Sequence, residues 1–360
     1  MDRSCRVALL VAAIAAVAPA SAFDGWHLQS ATVIEGKASN YDYISFDATK
    51  NRLFLGHRKA GLQVFDIATK TVVKTIDKTD VHSSNGALLL PEFDLGISSN
   101  EDGTLTPFVL STLEARDAVN MVIGVGKEVD TSYYDPATKR IFVHMEGDER
   151  GTDIHVLEAP SLKVLRTIRL ETREAEHGVA DRKGNYYIAG REIAMIYKID
   201  ARDMKVVAKW PTPGCTRPTG LAFNHADDRL LIGCRGNAEN KPAFAVFDPA
   251  KGEVKNIYET GAGNDGVISD PELNRVFLTN GVGANLMVFE RLSADTYKLI
   301  EALGTRPWAR TIAYDPKTKT IFTMAIEASS DTAKKINTKN GVFYPNTFFQ
   351  NTFTVLIYSK

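Results

Sequence analysis

An all-β, seven-bladed propeller is the fold class this sequence predicts. Three observations predict it: a repeated unit, the strand content of that unit, and the unfinished state of its last copy. The unit is clearest over 265–303, where a first apolar run, Gly266-Val267-Ile268-Ser269, breaks at Asp270-Pro271-Glu272-Leu273-Asn274. Runs at 275–280, 285–290 and 297–300 follow, with Gly281 and Gly283 in the break between the first two. Short runs rich in β-branched and aromatic residues, separated by turn residues, read as a four-stranded antiparallel meander. Asp-Pro suits the turn because proline presets φ and aspartate bonds its own backbone two residues on.

Marking the polar residue that opens each copy gives Asp42, Asn85, Asp130, His177, Thr219, Asp265 and Arg310, at successive intervals of 43, 45, 47, 42, 46 and 45 residues. The same turn follows most marks, at Asp47, Asp135, Asp181, Asn224, Asp270 and Asp315. Third runs often end in an acid: Asp66, Glu158, Asp200 and Asp248. A period near 45 with four strands per copy is the signature of propeller blades. Helical solenoids of similar period would show apolar spacing of 3.6 residues, and these copies do not.

The last copy has a first run at 308–314, a second at 320–325 and a third at 352–358, and there the sequence stops. The missing fourth run is expected from the other end of the chain, at 26–34, which resembles 72–76 and 164–168. A blade shared by the two ends leaves no unpaired edge at the seam.

Before that strand, Arg3 and Arg6, the apolar run 7–18 and Ala20-Ser21-Ala22 are the pattern of a cleavable export leader over 1–22. The apolar run is too short to span a bilayer, and no later stretch is long enough, so no membrane span is expected. The exported chain, residues 23–360, is then expected as one propeller domain in a bacterial periplasm. Without the leader it carries 41 basic and 43 acidic residues, which gives no general case for binding nucleic acid or an anionic membrane. Cys5 leaves with the leader. Cys215 and Cys234 fall at the same end of one blade, where an oxidising compartment would join them in a disulfide; two unpaired thiols are the alternative.

In a propeller the turns between second and third strands, and those between blades, open on the face where the innermost strands begin. That face is expected to gather Asp42, Asn85, Asp130, His177, Asp265 and Arg310 with the loop residues His57, Arg58, Glu146, Arg191 and Arg235 as a binding funnel. Carboxylates at Asp42, Asp130 and Asp265 are the oxygen donors a channel divalent cation would take. The plainer expectation is that they pair with Arg310 and Arg217, so no metal site and no cofactor is predicted. His177, beside Glu176, is the candidate proton carrier, with Glu146 or Asp130 as its partner. His144 and His155 fall within strands and are expected to be structural. No Gly-x-Ser-x-Gly elbow, His-Glu-x-x-His, Gly-Lys-Ser/Thr loop or Cys-x-x-Cys-His appears, and Gly124-Val125-Gly126 lacks the third glycine of a dinucleotide loop. One insertion breaks the rhythm, at 327–351, carrying Lys334, Lys335, Lys339, Phe343, Tyr344, Phe348 and Phe349. It is expected either to lid the channel or to carry function.

Val276-Phe277-Leu278-Thr279-Asn280 followed by Val288-Phe289, and more loosely Leu53-Phe54-Leu55-Gly56 followed by Val64-Phe65-Asp66, resemble the YVTN-repeat, YncE-like family of seven-bladed bacterial surface and periplasmic propellers. The resemblance runs over essentially the whole exported chain; the third to fifth copies depart from the Thr-Asn ending at Val143-His144, Ala189-Gly190 and Gly233-Cys234. It implies the fold and no residue role. Family members are implicated in single-stranded DNA binding, and similar propellers act as lactonases or as heavy chains of quinoprotein dehydrogenases. The expected function is therefore a ligand- or protein-binding module working through the funnel, with a small molecule or a periplasmic protein as partner. The alternatives are a lactonase-like hydrolase or a single-strand DNA binder, the latter resting on Arg58, Arg191, Arg235, Trp308 and Tyr344.

Overall fold

Each repeated unit folds as strands because its apolar runs are too short for helices and are bounded by residues that turn the chain. The computed structural model describes residues 25–334, 336–338, 341–343 and 346–360. The expected leader, with Cys5, and Lys335, Lys339 and Tyr344 of the insertion lie outside the described residues. Blade 1 holds Ile44–Asp47, Arg52–Gly56, Leu62–Asp66 and Thr71–Thr75 in that spatial order. Blades 2 to 6 repeat the arrangement over 84–120, 128–170, 175–211, 218–259 and 264–304. Blade 7 takes Ile312–Asp315, Thr320–Ala325 and Phe353–Ser359, and its fourth strand is His27–Ile34 from the other end of the chain. The described helical content is one α turn, Thr79–His82, and one 3-10 turn, Pro91–Phe93. No helix is long and apolar enough to cross a membrane.

The turn residues marked in the sequence do the chemistry expected of them. Asp47, Asp135, Asp181, Asn224, Asp270 and Asp315 each accept a hydrogen bond from the backbone N–H two residues on. Each bond closes the hairpin between first and second strands.

Middle strands are buried on both faces, which is why Arg52–Gly56 and Ala243–Asp248 contain no exposed residue. Outer strands such as Lys205–Pro211 alternate toward solvent and carry the lysines and glutamates. Among the described residues, seven apolar clusters form, and each joins one pair of neighbouring blades. The core is thus a ring of inter-blade seams, so burial is spread between neighbouring blades rather than gathered in a single core. At the seam between blades 6 and 7, the Trp26 ring meets Phe277 edge-on at 5.1 Å and donates its indole N–H to Lys319 O at 3.1 Å. Cys215 and Cys234 are disulfide-bonded, with Cα atoms 5.3 Å apart, inside the seam between blades 4 and 5.

The insertion prolongs the hairpin of blade 7. Ala328–Ser330 pairs with Asn346–Phe348, and Ile336–Thr338 with Gly341–Phe343. Its base is tied to Gly36 through Asn351, and Phe348 packs on the blade 7–blade 1 seam. Among the described residues no hydrogen bond joins it to the channel mouth, as a lid would.

Candidate functional site at the channel mouth

The innermost strands of blades 2 to 6 each carry one register break, and it falls on the marked residue. The breaks lie between Ser84 and Gly86, Val129 and Thr131, Ala175 and Gly178, Pro218 and Gly220, and Asn264 and Gly266. A bulge inserts an unpaired residue and re-aims its side chain. Asn85, Asp130, Glu176 with His177, Thr219 and Asp265 are these residues. Asp42 and Arg310 stand just before the innermost strands of blades 1 and 7.

A cavity of about 150 Å³ at the mouth is lined by seven carboxylates, Asp42, Glu128, Asp130, Glu146, Glu174, Glu176 and Asp265, but only four arginines, Arg58, Arg191, Arg235 and Arg310. The arginines are grouped toward one side. Arg58 bridges Asp42 at 2.8 Å and Glu101 at 2.5 Å; Arg310 bridges Asp42 and Asp265, each at 3.1 Å. Arg235 completes this chain on Asp265 at 2.6 Å, and Arg191 holds Glu174 at 2.6 Å and also Glu176. Arg217, expected to pair with the ring aspartates, makes no such pair. It stands against Arg191 and Arg235 with its Nε buried and unpartnered, and burial and those two cations push its pKa down.

Blade 3 contributes an acidic sector. Among the described residues Glu128, Asp130 and Glu146 form no ion pair; Asp130 accepts from the Tyr43 hydroxyl at 3.1 Å and Glu128 from the Asn85 amide at 3.0 Å. Burial raises the Asp130 carboxyl well above the usual range, with Glu176 and Asp42 adding to it. Burial, with Glu146 adding to it, lifts Glu128 from 4.5 to about 7. Asp265 shows the opposite balance, since Arg235 and Arg310 outweigh its burial and hold it low.

The raised Glu128 value has a sign that can be measured. Between 4.5 and about 7 the folded protein keeps a proton that the unfolded chain has released, so stability falls as pH rises through that window. Glu128→Gln removes the effect. In urea unfolding the variant should match the parent below the window and be the more stable above it. Coincident midpoints above neutrality would mean that Glu128 ionises normally in the folded protein.

Below the mouth, the channel cavity of about 540 Å³ is lined by Tyr43, Thr131, Tyr133, His177 and, toward the other face, Arg182 and His225. Tyr43 lines both spaces and forms the floor between them. The His177 ring sits 5.3 Å from Tyr43 and 5.8 Å from Tyr133, and its nearby acids are Glu176 and Asp265. No hydrogen bond joins it to Asp130 or Glu146, the partners expected for proton transfer. Burial lowers its pKa.

Two funnel candidates lie elsewhere. His57 is 1% exposed and stacks on Phe353 at 3.8 Å, held by Gln63, with burial lowering its pKa to about 4. Asn85 is wholly buried and braces Glu128 and Val129 from behind. His144 is bound by Glu176 O and Tyr186, and His155 by Thr167, as structural residues are. Sequence reasoning passed over Glu128, Glu174, Tyr43 and Tyr133. Glu128 lies two residues before a mark and Tyr43 one after, and that offset was the only signal.

Around the mouth the same face exposes apolar side chains. Val81, Val122, Ile123, Ile193, Val282 and Phe349 sit in the connections that open there, Val81 at 79% exposure and Val282 at 63%.

No family model matches this chain, and no curated protein does. Solved structures do match in fold. A chain of the mitotic checkpoint complex superposes over 89% of this chain and 95% of its own, with a TM-score of 0.68 at 12% identity. A chain of Kuenenia stuttgartiensis hydrazine synthase covers 89% of this chain and 99% of its own, with a TM-score of 0.67 at 11% identity. Identities this low carry the propeller architecture and nothing of activity.

Proposed function

We propose that this protein is an exported binding propeller of the YVTN-repeat kind whose mouth face docks a protein partner presenting a lysine or arginine. One observation carries the reading: Glu128, Asp130 and Glu146 meet the mouth cavity and, among the described residues, none of the three forms an ion pair, while the cavity's arginines are engaged by other carboxylates. A basic side chain entering there gains charge-assisted bonds and relieves the repulsion among the three acids. The exposed aliphatic residues around the mouth suit a protein surface better than a free small cation, since a docking core takes apolar contact within a polar rim. The Cys215–Cys234 disulfide and the leader pattern support export to an oxidising compartment.

The rival readings draw less support. A hydrolase using His177 with Glu146 or Asp130 draws less support because no hydrogen bond joins His177 to either, and its nearby acids are Glu176 and Asp265. Single-stranded DNA would need free arginines, and Arg58, Arg191 and Arg235 already hold carboxylates.

Panning a displayed peptide library against the full exported chain tests the proposal. Enriched sequences are expected to centre on lysine or arginine between apolar residues. Their binding should weaken at least about tenfold in a Glu128→Gln, Glu146→Gln double variant, since each charge-assisted bond contributes about 1.5–3 kcal/mol. It should weaken further as salt is raised. Enrichment of acidic peptides, or binding indifferent to the double substitution, overturns it.

A further inference from the structure

The arginine-rich side of the mouth contains a cluster that the docking proposal leaves unused. Glu176 and His177 stand on the bulge of blade 4 and Asp265 on that of blade 6. One ligating atom from each lies within 4.8 Å of the other two. Asp265 is 3% exposed, and its Oδ2 is held by Arg235 at 2.6 Å, while its Oδ1 is buried and accepts no hydrogen bond among the described residues. The His177 Nδ1 is likewise buried without a partner. Buried polar atoms in a folded protein are normally satisfied, so unpartnered atoms on two residues of one such cluster indicate a group that satisfies them.

We propose that Glu176, His177 and Asp265 hold one divalent transition-metal ion at the floor of the mouth. Imidazole nitrogen with two carboxylates suits zinc, manganese or cobalt; calcium would require six or more oxygens, which this cluster does not offer. The outer carboxylate oxygens are already oriented, Glu176 by Arg191 and Asp265 by Arg235 and Arg310, as the partners of metal ligands usually are. Seven carboxylates against four arginines leave the mouth short of positive charge, and a dication reduces the deficit. The three arginines also oppose the ion, so its affinity falls below that of a structural zinc site with four unopposed ligands. Three protein ligands would leave a coordination position open for water or a donor atom of a bound molecule. The site needs no protein partner, so its success or failure is independent of the docking proposal.

The test uses the full exported chain, stripped with a chelator and titrated with cobalt(II). A visible d–d absorption band saturating at one equivalent, displaced by zinc, is expected, together with a rise in thermal midpoint on adding zinc. His177→Gln should abolish the band or weaken cobalt binding at least tenfold. Because loss of the Asp265 charge can disturb folding through Arg235 and Arg310, Glu176→Gln serves as the second variant and should weaken binding similarly. His27→Gln, on the outermost strand of blade 7, should leave it unchanged. No band and no thermal shift up to millimolar metal overturns the proposal. So does a band that survives both His177→Gln and Glu176→Gln, or one lost with His27→Gln.

Discussion

Deleting residues 26–34 should abolish cooperative unfolding. The segment supplies the fourth strand of blade 7, with seven residue pairs from His27–Ser359 to Ile34–Phe353 and one register shift between Leu28 and Ser30. It also brings Trp26, 2% exposed, into the seam between blades 6 and 7. Truncating a buried tryptophan alone costs about 3–5 kcal/mol, against a total stability of about 5–15 kcal/mol for a typical domain. Removing the strand adds the loss of its ladder and exposes Phe353–Ser359 as an apolar edge. In a ring each blade is stabilised by its two neighbours, so an incomplete blade 7 weakens the seams to blades 6 and 1 together. Urea unfolding followed by circular dichroism should change from one steep transition to a broad, early one, with aggregation on refolding. A steep transition at the parent's midpoint would show that the two ends of the chain do not hold each other.

Arg310→Ala should be the most costly single substitution in the mouth. Its Nη2 donates to Tyr41 O at 2.8 Å and to Asp42 Oδ1 at 3.1 Å, and its guanidinium lies 5.5 Å from the centre of the Tyr41 ring. Its Nε stands 3.1 Å from Asp265 Oδ2 at an angle that makes the contact an ion pair rather than a hydrogen bond. Removing one partner of a buried pair leaves the other charge uncompensated, at about 3–5 kcal/mol. The Arg310 side chain is 22% exposed, and Arg58 and Arg235 remain on the two aspartates, so the lower end, about 3 kcal/mol, is expected. In the variant, Asp265 loses one of the two cations that hold its carboxyl low, so its folded-state pKa rises. The deficit against the parent should therefore shrink as pH falls through the carboxylate range. A midpoint within experimental error of the parent would mean that the arginine chain does not stabilise the mouth.

The blade count and the closing strand were legible because each rests on local chemistry repeated seven times. Asp135 and Asp315 reveal their turns from sequence because the bond each makes reaches only two residues along the chain. Cys215 and Cys234 were legible as a candidate pair because the meander returns both to one end of a blade. The mouth was legible only in outline. Marking one polar residue per copy found Asp130, His177 and Asp265, since the bulge that aims them recurs at the same point of each innermost strand. It did not separate Arg235, which neutralises Asp265, from Arg217, which forms no ion pair among the described residues, because both are arginines of blade 5 at the same end. Nor did it distinguish His57, in a second-to-third-strand loop like Arg191, as a packing residue stacked on Phe353.

The sequence alone determined the architecture: four strands per blade, seven blades, and a seam shared by the two ends. Strand periodicity and turn chemistry are written into consecutive residues, and a fixed repeat leaves one way to close. Which carboxylates in the mouth are neutralised, and which are left facing one another, is settled by how the folded blades meet. That sorting depends on side chains of different blades, as far apart in sequence as Asp42 and Arg310, meeting within a few ångströms, and on how far each is removed from water; no local pattern records either.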